Sequence, residues 1–228
     1  MDISLDRKTC SMIDKGIAGK FEQMSIMLKD SGLYVQAVDK PKSMVIDHYV
    51  DRILLEPYVV EEVVGTTIPY TKFLLNGMER LAILRKGSLL KMTWSGEGVF
   101  LEKHLYTLDF EWVEVEYNLG TVMFSLPYTG LSLIRRIGGN ELEVHVSENK
   151  MEIRAISENN VILYTNLDTP VSAACSFTLL KYHLDRLPKC AYSSAAFNID
   201  KQGLVILSLE ALGVITTVTI ATEVLFFD

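Results

Sequence analysis

A chain of 228 residues that is 49% hydrophobic, with only 14 Gly and 6 Pro, can bury a sizeable core and falls outside the disordered and low-complexity classes. Its three cysteines, Cys10, Cys175 and Cys190, are odd in number, widely spaced and free of any CxxC pair, which argues against a disulfide framework or zinc site and for a reducing intracellular compartment. The net charge of −7, taken alone, argues against a nucleic-acid partner.

The N-terminus, MDISLDRKTCSMID, lacks the apolar run of a signal peptide. Residues 6–20 read as an amphipathic helix capped by Asp6, with Cys10, Ile13 and Ile17 on one face and Lys8, Ser11 and Lys15 on the other. Residues 21–50 read as three strands turning at 29–32 and 39–42. A second helix is predicted over 70–86, between Pro69 and Gly87, burying Leu74, Met78 and Leu81 and exposing Lys72, Asn76, Glu79, Arg80 and Lys86. A hairpin over 88–108 turns at 95–98. The segment LDFEWVEVEYNLG (108–120) is acidic, lacks turn residues and reads as an extended linker.

A third helix is expected over 127–138, with Leu133, Ile134 and Ile137 inward and Tyr128, Ser132, Arg135 and Arg136 outward; the Gly138-Gly139 pair reads as its C-cap. Three more strands over 140–166 turn at 148–150 and 157–160. The fourth helix, 177–188, buries Phe177, Leu180, Leu184 and Leu187 and exposes Lys181, Asp185 and Arg186, with Lys189 just beyond. The most apolar stretch, 203–227, is interrupted by Glu210 and Glu223 and alternates like strands, so it is not a membrane span. Its turns fall at 200–203 and 210–213.

This order is a pseudo-repeat: helix, strands, helix, strands, then much the same again. It implies an α+β chain of two similar domains, 1–108 and 120–228, joined by a connector at 109–119. Antiparallel sheets would carry four amphipathic helices on one face.

The charge is segregated along this pattern. Segments 6–20, 71–86, 128–138 and 177–189 hold 13 Lys/Arg and 4 Asp/Glu, while the remainder holds 9 and 25. Helix surfaces accept Glu as readily as Lys, so helix propensity does not explain the bias. A surface facing a polyanion does, through phosphate contacts without sequence selection.

Several segments resemble PCNA-type DNA sliding clamps. DSGLYVQAVDKPKSMVIDHYV (30–50) is similar to the first-domain signature, with its short A-[MV]-D turn between strands. LDFEWVEVEYN (108–118) resembles the interdomain connector, SLPYTGLSLIRRIGGNELEVHVSENKMEIRA (125–155) the start of the second domain, and CSFTLLKYHLDRL (175–187) the last helix. The resemblance implies a non-catalytic subunit of a trimeric ring, with helices lining the hole and sheets outside. The implied partners are double-stranded DNA without sequence preference, DNA polymerase and other clamp-binding proteins, and further subunits. No membrane, cofactor or metal is implied. The compartment would be the nucleus for a eukaryotic source or a nuclear virus, and the cytoplasm otherwise.

The resemblance and the charge pattern together nominate Lys8, Lys15, Lys20, Lys72, Arg80, Lys86, Arg135, Arg136, Lys181, Arg186 and Lys189 for DNA. By position, the resemblance implies a partner pocket of Val38, Lys42, Val45, Val113, Val115, Ile220 and Ala221. It also implies a subunit edge at 102–108, including Lys103, Leu105 and Tyr106. That edge would meet either 161–167 or 171–175, the latter holding Val171 and Ala173. Two departures stand out. The chain ends IATEVLFFD where the family has a Leu-Ala-Pro-like segment, and only LDTPVSAAC (167–175) precedes the last helix where the family has a long strand.

An enzyme finds little support. The histidines (His48, His104, His145 and His183) are scattered, and HExxH, GxSxG and GxxxxGK[ST] are absent. Two alternatives remain: a checkpoint-type or viral transcription-associated clamp subunit, and an α+β enzyme or binding protein for an anionic metabolite.

Overall fold

The computed structural model describes all residues except 1, 18, 20, 56–57, 61–62, 117–121, 138, 156–161, 168–169, 190–191, 212 and 228. Strand β1 (Asp2–Asp6) runs directly into helix α1 (Arg7–Gly16), where the Asp6 carboxylate accepts the Thr9 N–H at 2.7 Å as the N-cap. Next come β2 (Gln23–Lys29), β3 (Gly32–Val38), β4 (Met44–Asp51), a 3₁₀ turn (Arg52–Leu54), β5 (Tyr58–Val59) and β6 (Val64–Pro69). Strands β7 (Arg80–Lys86), β8 (Leu89–Gly96) and β9 (Val99–Tyr106) complete the first half. The second half begins with β10 (Val122–Pro127), α2 (Tyr128–Ile134), β11 (Glu141–Ser147), β12 (Lys150–Ala155) and β13 (Ile162–Asn166). It ends with β14 (Ala174–Leu180), α3 (Lys181–Arg186), β15 (Ser194–Ile199), β16 (Leu204–Ala211), β17 (Val214–Ala221) and β18 (Val224–Phe227).

Three sheets result: β5-β1-β7-β8-β9, β10-β15-β16-β17-β4-β3-β2-β6 and β13-β12-β11-β14-β18. The pseudo-repeat is visible in them. The run β1-β7-β8-β9 recurs as β10-β15-β16-β17, and β4-β3-β2-β6 recurs as β13-β12-β11-β14. The central sheet is therefore shared. Four strands come from each half, joined where β17 pairs antiparallel with β4 from Val214↔Val50 to Ile220↔Met44.

Side chains alternate across that sheet. His48 faces α1: a Cβ at Gly16 would lie 2.3 Å from its ring. Its neighbour Asp47 points the other way, accepting from Gln36, which also holds the connector. Helix α1 and the connector thus lie on opposite faces. No helix among the described residues is long and apolar enough to cross a membrane.

The strand turns at 29–32, 39–42, 95–98, 148–150, 200–203 and 210–213 fall between the observed strands. Lys20, Gly138, Val161, Cys190, the 157–160 turn and the side chain of Tyr128 lie outside the described residues. The helices differ most from expectation. Residues 70–79 are irregular and 80–86 form a strand, so the second helix is absent. Leu74, Met78 and Leu81 fit a helical spacing, but the real period is two: Leu81 and Ile83 are buried while Arg80 and Ala82 are exposed. Asn76-Gly77 is a turn, with Gly77 at φ 78°. The fourth helix begins four residues late, because Cys175, Phe177 and Leu179 alternate into the core as strand β14. Leu180 and, in α2, Leu133 are exposed rather than packed; Leu131 takes the inward position in α2.

The irregular 70–79 segment is fastened instead by Asp14 of α1. Its two carboxylate oxygens accept the Phe73 and Leu74 N–H groups, both at 2.8 Å, and Trp94 Nε1 donates to the Phe73 carbonyl at 2.8 Å. Asp14→Ala orphans both amides and is expected to lower unfolding stability by about 1–3 kcal/mol. Urea unfolding measures this, and a midpoint equal to wild type would refute the role of Asp14.

Candidate nucleic-acid and partner interfaces

Helix α1 exposes Lys8 and Lys15. Arg7, Lys8, Lys15 and Arg80 surround one shallow depression, together with Asp6 and Glu79. Asp14 draws the 70–79 segment, and with it exposed Lys72, against the same helix. The second half joins this surface through the backbone. Lys189 N donates to Lys15 O at 2.7 Å, and Arg135 Nη1 donates to Pro188 O at 2.6 Å. The C-terminal ends of α1 and α2 and the segment after α3 thus meet, bringing Lys15, Arg135, Arg136 and Lys189 together. Arg136 and Lys189 are exposed and Arg135 is half-buried.

Three nominated residues are placed otherwise. Lys86 ends β7, six residues from Arg80 and so roughly 20 Å along the strand from α1. Lys181 pairs with Asp185 one helical turn on. Arg186 turns toward a groove: its guanidinium lies 5.8 Å from the Phe21 ring and 5.4 Å from the Tyr182 ring, and it donates to the Tyr182 carbonyl.

That groove, of about 580 Å³, runs between residues 21–25, the 38–42 loop, connector residues 111 and 113, and α3. Val38, Lys42 and Val113 line it. Val115, Val45, Ile220 and Ala221 do not. Val45 and Ile220 are buried, 6% and 2% exposed, which corrects their assignment to an open pocket. Ala221 is exposed at the end of β17 and Val115 is half-buried in the connector. Phe21, Met24 and Tyr182 were not anticipated, since only the fold brings 21–25 and α3 to the loop.

Polar side chains on the sheet hold the connector. Ser25 Oγ donates to Glu111 O at 2.5 Å, and Glu111 N donates to Thr67 Oγ1 at 3.0 Å. Gln36 grips Val113 at both ends, accepting its N–H at 2.8 Å and donating to its carbonyl at 2.9 Å. Phe110 fills the space over Gly65, where a Cβ would meet its ring at 2.6 Å. The loop is anchored by Asp39, which accepts from Met44 N and Ser43 Oγ at 2.8 Å each. Lys42 there adopts φ 57°, an uncommon conformation for a side chain of its kind.

Ser43 also meets Tyr182 Oη at 2.5 Å and His183 Nε2 at 3.3 Å. Ser43, His183 and Asp39 are thus adjacent, but Asp39 bonds the serine and not the histidine, unlike the acid of a Ser-His-Asp triad. Burial pushes His183 down to about 4. It also pushes His48, bonded to Thr216 at 2.7 Å, down to about 3. Cys10 and Cys175 are free and buried, their thiols pushed up to about 12 and about 11 by burial. Among the described residues no group of three or more His, Cys, Asp or Glu is placed to hold a metal ion.

The residues nominated for a subunit edge fall on or near strands at sheet edges, with some differences. Strand β9 is one edge of its sheet, with β5 at the other, and β13 is one edge of the third sheet, with β18 at the other. Leu105 is 8% exposed and packs in its own core opposite Leu90, and Lys103 Nζ donates to Thr71 Oγ1 at 3.2 Å. Tyr106 is exposed. Val171 is buried and Ala173 half-buried, both just before β14, an interior strand; of the two candidate segments, only 161–167 contains an edge.

No family model matches the chain, and no curated protein matches it in sequence. Solved structures do match in fold. The proliferating cellular nuclear antigen of Entamoeba histolytica superposes with TM-score 0.78 at 12% identity, over 97% of this chain and 98% of that one. A chain of the PCNA2–PCNA3 complex of Sulfolobus tokodaii gives TM-score 0.72 at 14% identity, over 98% and 99%. The chain therefore has the PCNA-type clamp fold, end to end.

Two measurements probe the connector cradle. Gln36→Ala removes both bonds to Val113, and hydrogen exchange at the Val113 amide is expected to speed at least about tenfold. Burial holds Asp47 above its ordinary carboxylate value of 3.8, against the Gln36 hydrogen bond that lowers it. The native state therefore binds this proton more tightly than the unfolded chain does, and the resulting stability is lost as pH rises from about 3.8 through the native value. Asp47→Asn keeps an oxygen for Gln36 and removes that loss. Its stability relative to wild type should rise between pH 4 and pH 7 in parallel urea titrations; a constant difference would contradict this.

Proposed function

We propose that this chain is a sliding clamp subunit: a non-catalytic ring component that encircles duplex DNA and holds polymerase and other client proteins on it. Residues 1–108 and 120–228 act as its two domains, with 109–119 connecting them. The observation that carries the reading is the convergence of Lys8, Lys15, Lys72, Arg80, Arg136 and Lys189 on the helix face of a chain whose net charge is −7. A net-acidic protein approaches phosphate only through a locally basic surface. The mechanism is topological. Phosphate contacts stay weak so that the ring slides, and dissociation requires opening it. Clients dock on the opposite face, along the connector and the groove beside it, with an apolar side chain seated near Val38 and Val113.

Binding to a duplex is expected to be sequence-independent and to fall steeply with salt. The combined variant Lys8→Glu, Lys15→Glu, Arg80→Glu and Lys189→Glu should abolish retention on circular DNA while circular dichroism is unchanged. Lys86→Glu, far along β7, should leave retention near wild type. A folded fourfold variant that is retained normally would sink the clamp reading.

A further inference from the structure

The turn at Asn76-Gly77 carries a chemistry that the clamp reading does not use. It is the only Asn-Gly pair in the sequence. The segment around it is fastened on both sides. Asp14 holds the Phe73 and Leu74 amides, and Glu79 N donates to Ser95 O at 2.9 Å. Between those anchors Met78 N donates to Leu75 O at 3.2 Å, with Asn76 at negative φ and Gly77 at φ 78°. That combination is a type II turn, with glycine where the turn requires it.

A turn of this kind leaves the N–H groups of its two central residues outside its own hydrogen bond. Among the described residues nothing accepts the Gly77 N–H, and Asn76 and Gly77 are both exposed. Nothing lies within 4 Å of where a Gly77 Cβ would stand. The peptide plane between the two residues therefore rotates without meeting a side chain, because glycine tolerates either sign of φ. Rotation brings the Gly77 nitrogen against the side-chain carbonyl carbon of Asn76. Asn149 also sits in an exposed turn, but the residue that follows it, Lys150, carries a side chain and starts β12.

We propose that Asn76 is a self-modification site, deamidated by attack of the Gly77 amide nitrogen on its Cγ. The N–Cγ bond forms and the Cγ–Nδ2 bond breaks. The proton from Gly77 leaves with the side-chain amide as ammonia, and a five-membered imide remains. Water then opens the imide at one of its two carbonyls. Opening at Cγ restores the main chain and leaves an aspartate. Opening at the backbone carbonyl leaves an isoaspartate, with the main chain running through the former side chain. Nothing is oxidised or reduced, and water is the only co-reactant.

Either product adds a negative charge four residues after Lys72 and four before Arg80, both exposed cations of the helix face. This consequence rests on the clamp reading. A surface that attracts phosphate through a few cations is weakened by a carboxylate added among them. The pull of that face on a duplex then declines as the molecule ages.

The test follows the full-length protein in mildly alkaline buffer by peptide mass spectrometry. The peptide holding Asn76 should gain about 1 Da and resolve into aspartyl and isoaspartyl forms. The peptide holding Asn149 should stay unchanged. The native rate at Asn76 should lie within about tenfold of the rate for the same chain unfolded in urea. A slower native rate means that the fold protects Asn76, and overturns the proposal. Retention on circular DNA reads the consequence. Asn76→Asp should shorten it by about twofold at low salt and converge with wild type as salt is raised, with circular dichroism unchanged. If Asn76 deamidates but Asn76→Asp is retained like wild type, the modification stands and its effect on the helix face is refuted. If freshly purified wild type is not retained at all, the clamp reading fails, and the mass measurement still decides the modification.

Discussion

The pairing of β17 with β4 is the constraint on which the molecule depends. It merges four strands from each half into one eight-stranded sheet. Beneath it, His48 meets Thr216, and Tyr192 bonds the same threonine hydroxyl at 2.6 Å. These are buried polar groups beside aliphatic neighbours such as Ile46, Val50, Val214 and Val218. A buried hydrogen-bonded set of this kind penalises any shift in register, because a slip would leave each member unpaired in an apolar environment.

Everything of functional interest is set by which side of that sheet it falls on. Strand alternation sends His48 toward α1 and Asp47 toward the connector, and the same alternation separates the basic surface from the groove. The two sides still communicate. Ser43 in the loop beside the groove bonds Tyr182 and lies against His183 of α3, while Lys189 just beyond that helix is bonded to α1. A short path of contacts thus runs from the groove to the helix face.

The acidic balance of the chain fits this division. The acidic connector lies on the face opposite α1, and Lys15, Arg136 and Lys189 gather where the helix ends meet. Two lysines and an arginine outside that gathering show that composition and placement are separate matters. Lys86 is carried to the far end of a strand, Lys181 is neutralised by Asp185, and Arg186 is drawn to aromatic faces where its cation is favoured.

Much of this was legible in the residues themselves. Polar turn clusters between alternating segments located β2–β4, β8, β9, β11–β13 and β15–β17, because the turn chemistry at Lys29–Gly32, Glu97-Gly98 and Asp200–Gly203 is local; β7 and β14 were instead read as helix. Asp6 announced α1, and the charge bias marked three helix-bearing segments together with 71–86, which holds no helix. The pseudo-repeat was legible too, since a strand order has to be written in chain order. What the sequence could not decide were contacts between distant residues. The 70–86 segment had apolar residues compatible with either period. Asp14, fifty-nine residues from Phe73, together with the Asn76-Gly77 turn, fixed it as an irregular segment leading into a strand. Cys175–Leu179 is apolar enough for a helix and became a strand because β11 offered it backbone partners. Val45 and Ile220 look like pocket residues by position and were buried by packing. Local propensity and periodicity are properties of a few neighbouring residues; burial and register belong to the pairing of strands far apart in the chain, and only the folded sheet settles them.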